Sequence, residues 1–264
     1  MTTWSIDLLP YALQEVPDAQ VFAGGDPGSW RTFAFYAVLL RSVDAVVLVD
    51  CGMDDPGPLN AGIEPVLGDR GLIRPLEGGS RIDVLLARHG LTVSNVDIVA
   101  FTHLHADHSF NAPLFPDARY LLSAEGWRRH LAQRESGSGV VCDPFFPDAA
   151  VQEVLAASHG SRLLLPENDG SPLDGLIVRH LGGHTHDSTG YVVDTEVGPV
   201  VIPGDVVWSA DNLEFDVPVG SYVDLDECRA ALAWTRALGG TALPAHEIAL
   251  MTVHPDGRVA GPRG

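Results

Sequence analysis

Basic residues are scarce in this sequence. The 264-residue chain carries 16 Lys and Arg against 35 Asp and Glu, a formal charge of −19. Nucleic acids and anionic membranes are held by basic surface, so neither is expected as a partner. Cysteine is also sparse: Cys51, Cys142 and Cys228 are odd in number, widely spaced and form no C-x-x-C. That speaks against a disulfide framework and fits reduced thiols in a cytoplasm, the expected location. Long apolar runs are missing as well. No stretch approaches the ~20 residues that span a bilayer. The opening MTTWSIDLLPYALQEVPDAQ lacks the basic-then-apolar order of a signal peptide, so none is expected. What is present is an acidic chain with 45% hydrophobic residues, ordinary for a globular protein and long enough to bury a core without cross-links. A small-molecule substrate is the expected partner, and composition leaves the oligomeric state open.

Strand and helix patterns interleave along the chain. Phe33–Leu40 (FAFYAVLL) and Ala45–Asp50 (AVVLVD) read as a hairpin around the polar turn at 41–44. Gly52–Pro58 (GMDDPGP) stacks turn residues and reads as loop. Ile82, Leu85, Leu86 and His89 recur at helical spacing before a stop at Gly90. Val96–Phe101 is a short buried strand, and Ala118–Leu122 is another. Ser123 is placed to cap a helix through Trp127 to Gln133. The stretch Glu135–Ala150 (ESGSGVVCDPFFPDAA) reads largely as loop, with a helix over Ala149–Ala157. Leu176–Leu181, Gly190–Asp194 and Pro199–Ile202 read as strands. Asp224–Leu238 is an amphipathic helix with Leu225, Cys228, Ala231, Leu232 and Thr235 on one side, and Leu243–Ala245 leads into His246. No internal repeat and no clean linker appear, so one layered α/β domain over residues 1–264 is expected.

The chemistry lies in THLHADH, at the C-terminal end of the Val96–Phe101 strand. His103, His105, Asp107 and His108 crowd into six positions. A tight loop after a strand can aim His103 and His105 to one side, while adjacent Asp107 and His108 point apart and can serve two ions. Downstream, His184 follows Gly182-Gly183, Asp205 follows Pro203-Gly204, and His246 follows Pro244-Ala245. Each sits in a turn after an expected strand, where side chains can converge at one sheet edge. Imidazole and carboxylate without thiolate suit zinc, and iron, cobalt or manganese equally. Two such ions a few Å apart can share a bridging hydroxide, lowering its pKa from about 15.7 toward about 7.

T-H-L-H-A-D-H resembles the H-x-H-x-D-H signature of the metallo-β-lactamase superfamily. The resemblance runs from Val47–Met53 to Pro244–Glu247 and implies an αββα sandwich, two sheets face to face with helices outside. It implies that His103, His105 and His184 hold one metal, that Asp107, His108 and His246 hold the other, and that Asp205 bridges. Two divalent ions are therefore the expected cofactors, zinc first, with iron or manganese as alternatives. Asp50 matches the Asp of the family's D-T-G turn, which stands behind the ligands rather than among them. Asp107 is the expected catalytic residue, a ligand that also relays a proton to the leaving group.

Within that superfamily the chain is most similar to the N-acyl-homoserine lactonase branch, in AFYAVLL–VLVDCGM, HADHSFNAPLFPDARYLLSAEGW and VPVGSYVDLDECRAALAWTRALGG. Two positions depart. The Tyr that contacts substrate three residues after the bridging Asp is here Trp208, and the usual G-H-x-P-G-H is here Gly183-His184-Thr185-His186-Asp187-Ser188. Trp208 is expected to form a pocket wall that narrows the space beside the metals, with Nε1–H as its one donor to substrate. His186 is a candidate to reach the site from behind or to touch substrate. Phe145-Phe146 is read as a core anchor or a substrate lid, and His130, His159, His180 and His254 as surface or packing residues. The expected function is hydrolysis of an ester-type bond, a lactone first, by a metal-bound hydroxide. A thioesterase of the same fold and a diiron redox enzyme with the same ligands are the alternatives.

Overall fold

In a computed structural model, residues 2–77, 81–135 and 145–261 are described. Their strands are β1 (Ser5–Pro17), β2 (Trp30–Arg41), β3 (Val46–Val49), β4 (Arg74–Pro75), β5 (Ile98–Ala100), β6 (Arg119–Leu121), β7 (Leu163–Leu164), β8 (Gly170–Leu173), β9 (Leu176–His180), β10 (Thr189–Thr195), β11 (Gly198–Ile202), β12 (Thr241–Ala242) and β13 (Arg258–Ala260). Among the described residues they form two mixed sheets. One runs β13-β1-β2-β3-β5-β6-β7, with β4 on β1, and the other runs β12-β11-β10-β9-β8. The helices are α1 (Asp18–Val21), α2 (Gly57–Leu67), α3 (Ile82–Ala87), α4 (Ala106–Ser109), α5 (Ala124–Glu135), α6 (Asp148–Ser158), α7 (Ala210–Phe215), α8 (Leu225–Ala237) and α9 (Leu250–Val253).

The strands of the first sheet are near-continuous apolar runs because both faces are covered. Along β2, Ala34, Tyr36, Val38 and Leu40 point into the core between the sheets, where they meet Val178, Tyr191, Val193 and Ile202. The alternate residues Phe35, Ala37 and Leu39 point outward onto Leu59 and Ile63 of α2, Leu85 of α3 and Val154 of α6. Leu48 and Val99 continue that outer face, while Val47, Val49 and Ile98 continue the inner one. On the far side, Ala231, Leu232 and Trp234 of α8 cover Leu181 and Val207. The result is the expected αββα layering. No helix among the described residues is long and apolar enough to cross a membrane.

Two elements depart from the sequence reading. The segment taken as loop over Gly52–Pro58 becomes helix at its end: α2 begins at Gly57, with a proline in its first turn, where the missing N–H costs nothing. The N-terminal segment, unassigned by pattern, is the 13-residue β1. Its pairing with β2 shifts register between Pro10 and Ala12, a bulge that accommodates a proline with no N–H to donate. In the Glu135–Ala150 stretch read as loop, residues 136–144, Cys142 among them, lie outside the described residues, and α6 starts at Asp148.

The topology sends several chain reversals to one end of the sandwich. β3 and β5 are parallel, so the turns after them, carrying Asp50 and residues 102–108, leave the sheet at the same edge. In the second sheet β9 and β11 both run antiparallel to β10, and β12 is parallel to β11. The turns after β9, β11 and β12 therefore leave together, carrying His184, Asp205 and His246. The two edges are tied there by Thr189 N–H donating to the Thr102 carbonyl at 2.7 Å.

Candidate metal centre

The loop after β5 enters α4 through His105, so Asp107 and His108 sit in the helix's only turn while His103 and His105 precede it. His184 follows Gly182 and Gly183, both in the left-handed region. Gly183 has no alternative, since a Cβ there would lie 2.8 Å from Cys228 Sγ and 2.7 Å from its backbone nitrogen. Asp205 sits in a single 3-10 turn, Gly204–Val206. Gly204 is again left-handed, and a Cβ would come 2.7 Å from Thr102 Cβ. These close approaches bring the second sheet's turns onto the first sheet's loop.

All seven expected ligand residues converge. His103, His105 and His184 offer nitrogens within 4.8 Å of one another, and so do the donor atoms of Asp107, His108, Asp205 and His246. Asp205 lies between the two groups. Its Oδ1 is 3.2 Å from His108 Nε2, and its Oδ2 is 3.3 Å from His246 Nε2 and 3.6 Å from His184 Nε2. His108 Nε2 is also 3.1 Å from Asp107 Oδ2, so these chain neighbours do not point apart to serve two ions but converge in one donor group, within the single turn of α4.

The partners behind these side chains set which nitrogen faces inward. His184 Nδ1 is 2.8 Å from the Ser221 carbonyl, and His246 Nδ1 is 3.2 Å from the Ala34 carbonyl. A carbonyl only accepts, so each Nδ1 carries the proton and each Nε2 presents a lone pair to the cluster. Asp50 does the same for His108, accepting from Nδ1 at 2.8 Å, and it also accepts the Thr102 N–H and hydroxyl, each at 2.8 Å. Asp50 takes this position with φ 57°, a left-handed conformation that Asp tolerates better than most residues. It stands behind the cluster, against His108 and Thr102.

The electrostatics favour a cation. Burial would lower the basicity of His108, but Asp107, Asp205 and Asp50 around it outweigh that and push its imidazole well above the usual range. Burial would likewise raise the Asp205 carboxyl, yet the His246 and His108 imidazoles hold it well below the usual carboxylate range. For His103 the opposing pull of Asp205 is outweighed. Burial, reinforced by His108 and His105, drives it well down, so it stays neutral with a lone pair available. Among the described residues, His103 Nε2, His108 Nε2 and Asp205 Oδ1 are buried without a hydrogen-bond partner. Buried polar atoms are rarely left so, and three of them in one cluster of nitrogen and oxygen donors fit divalent metal ions.

Two further sequence expectations change, the use of the Trp208 donor and the reach of His186, while His130 keeps the packing role read for it. Trp208 lines the cleft, but its Nε1–H donates to Asp205 Oδ2 at 2.9 Å and is spent inside the protein rather than on substrate. His186 joins neither donor group nor the cleft lining, and its carbonyl faces His180 Nε2 at 2.9 Å. His130 is a packing residue, buried and stacked on Trp127 at 5.7 Å. Phe145 and Phe146 both stand against the His105 ring, at 5.9 and 4.8 Å. Phe145 borders the cleft and Phe146 packs on the outer core, so the pair is both wall and anchor.

Other contributors carried little sequence signal. Tyr11 on β1 donates its hydroxyl to the Asp107 carbonyl at 2.5 Å. Phe33 stacks on the His246 ring at 5.4 Å, and Phe35 meets its edge at 4.7 Å. Asp187 is buried and accepts the Leu104 N–H at 3.0 Å, pinning the loop between His103 and His105. Its place three residues after His184, in a run of small polar residues, was the one available hint. The donor atoms open into a cleft of about 220 Å³ whose other walls are Val16, Phe33 and Phe35 of the first sheet and Leu59, Ile63 and Leu67 of α2.

Comparison with known proteins agrees with this geometry. The model of the Metallo-beta-lactamase superfamily matches residues 34–249. The N-acyl homoserine lactonase AiiA of Bacillus thuringiensis subsp. kurstaki is 20% identical over 224 residues, covering 84% of this chain and 83% of its own. A solved N-acyl homoserine lactone hydrolase, with the product N-hexanoyl-L-homoserine bound at its catalytic metal centre, superposes with a TM-score of 0.74 at 18% identity, over 96% of this chain and 97% of that one. AidC, a dizinc quorum-quenching lactonase, superposes with a TM-score of 0.64 at 15% identity, over 93% and 88%. At these identities the structural likeness speaks for the fold.

Proposed function

The chain belongs to the metallo-beta-lactamase superfamily, and from that premise we propose that it is a dinuclear metal-dependent hydrolase, folded as one domain, that opens an ester-type bond, with a lactone as the first substrate class. The observation that carries this reading is the pair of donor groups at the base of an apolar cleft, with Asp205 between them. His103, His105 and His184 would hold one ion and Asp107, His108 and His246 the other, with Asp205 shared. When bound, such ions polarise a carbonyl and lower the pKa of water.

The chain's own groups supply the rest. The aliphatic and aromatic walls take up an apolar substituent and exclude water beside the reacting carbonyl. Asp107 borders the cleft, so its carboxylate can take a proton at the attacking side and return it to the alkoxide that leaves. Opening a lactone keeps that alkoxide on the same molecule, as the terminal hydroxyl of an acid. The lactonase products named for the solved relatives support this substrate class.

The test is metal analysis of protein purified without added metal, followed by turnover of acyl-homoserine lactones, aryl esters and acyl thioesters. About two zinc ions per chain with lactone turnover is the expected result. One ion or fewer after reconstitution with zinc, manganese or iron would overturn the dinuclear reading. Redox-active iron with no hydrolysis would replace it by oxygen chemistry, and turnover of thioesters alone would move the substrate class.

A further inference from the structure

Trp208 is 8% exposed and its indole is fixed on three sides. The ring meets Phe33 edge-on at 5.3 Å, His246 at 5.5 Å and His184 at 5.9 Å. Its backbone carbonyl accepts the His246 N–H at 2.9 Å. Its one polar atom, Nε1, is 2.9 Å from Asp205 Oδ2. An indole N–H buried without an acceptor is costly, so the ring's orientation and this bond reinforce each other.

The acceptor is the carboxylate that the two donor groups share. Oδ2 is the atom approached by His184 from one group and His246 from the other, while Oδ1 faces His108. On the dinuclear reading above, we infer that Trp208 is a positioning residue for the metal pair: its indole N–H fixes the rotation of the Asp205 carboxylate so that both groups can share it. The chemistry of indole suits this task. It donates one hydrogen bond, accepts none and carries no charge, so it orients the carboxylate without competing as a cation or acting as a ligand. A lysine there would neutralise Asp205, and a histidine would add a rival donor. The three-residue offset in the turn after β11 delivers both groups from one short segment, Asp205 through Trp208.

Trp208→Phe keeps an aromatic ring and removes the donor. Loss of a group that orients a metal ligand typically weakens metal affinity by about 10- to 100-fold. The expected result is zinc affinity lower by that factor in chelator competition, and altered visible bands in the cobalt-substituted protein. Metal-free Trp208→Phe should still unfold cooperatively, and under saturating metal kcat should fall more than KM rises. A variant that binds two zinc ions with wild-type affinity and gives the wild-type cobalt spectrum overturns the inference alone. Wild-type protein that binds fewer than two ions overturns the dinuclear reading, and this inference with it. Should Trp208→Phe fail to fold, the wild type decides. Among its five tryptophans, the indole N–H signal that moves on zinc addition must be one that exchanges slowly with D2O. A zinc-sensitive signal that exchanges as fast as free indole, or no zinc-sensitive signal, overturns the inference.

Discussion

Asp50 is not among the described residues that line the cleft, yet three groups depend on it: the Thr102 N–H, the Thr102 hydroxyl and His108 Nδ1. Asp50→Ala leaves these buried groups without their acceptor, at ~1–3 kcal/mol for each that stays unpaired, so the urea midpoint should fall clearly. Asp50→Asn separates stability from metal binding. Its carbonyl can still accept from Thr102, but its amide donates toward His108 Nδ1 and forces the proton onto Nε2, where the lone pair is needed. Zinc retention by this variant should drop about 10- to 100-fold with a much smaller loss of stability, and unchanged retention would contradict the tautomer argument. His103→Ala and Asp205→Ala should each abolish turnover while far-UV circular dichroism stays at wild type, and measurable wild-type activity in either would remove that residue from the site. At this scale the sequence was informative where chemistry is local. His103 to His108 are neighbours in the chain, and His184, Asp205 and His246 each follow a Gly or Pro turn. Trp208 is the cleft wall its position suggests, but the partner of its indole N–H, Asp205, is set by the turn's three-dimensional shape rather than by spacing. Tyr11 reaches Asp107 across 96 positions, a contact that no spacing encodes.

At the scale of elements, the strands with a simple alternation were legible and the irregular ones were not. β2, β3, β5, β9 to β11 and α8 all fall where patterning places them. In α8 the expected side is buried at Cys228, Ala231, Leu232 and Thr235, with Leu225 in the first turn only half-buried, and Asp224 caps the helix by accepting from the Asp226 and Glu227 N–H groups. β1 shows no clean alternation because it carries Pro10 and Pro17, which a bulge and a strand end accommodate. α2 was missed because Gly57, Pro58 and Pro65 hide its apolar side. That helix matters for substrate choice. Leu59, Ile63 and Leu67 are three positions on one face, and all three line the cleft opposite the donor atoms. Ile63→Trp should fill the cleft from the helix side. Turnover of a substrate with a long apolar chain should lose about 5- to 160-fold in kcat/KM, the kinetic equivalent of ~1–3 kcal/mol of overpacking, while a short aryl ester is little affected. Equal losses on both substrates would mean that α2 does not contact the acyl group.

At the scale of the whole molecule, the metal centre and the cores are separate sources of stability. The core between the sheets and the core under α2, α3 and α6 are built from residues such as Leu40, Val47, Tyr191, Leu39 and Phe101, and the seven donor residues lie at one edge of both. The fold should therefore persist without metal. The edge itself is strained electrostatically in that state: Asp50, Asp107 and Asp205 surround one imidazole, and three buried polar atoms lack partners. The chain already carries a charge of −19, so self-repulsion adds to the local cost, and two divalent ions would cancel four of those charges where they are densest. Any ion that binds only the folded state stabilises by mass action, by ~2.7 kcal/mol at a free concentration of a hundred times Kd. Chelation should thus lower Tm by several degrees, leaving a single cooperative transition and an unchanged far-UV spectrum, and added zinc should restore Tm in proportion to the logarithm of its concentration. Monovalent salt should recover part of the loss by screening the acidic surface, but not the zinc-specific part. Calorimetry with and without chelator, across salt and zinc series, separates the two. Loss of the far-UV signal on chelation would show that the metals build the fold, and a Tm indifferent to zinc would show that the buried donors do not bind it.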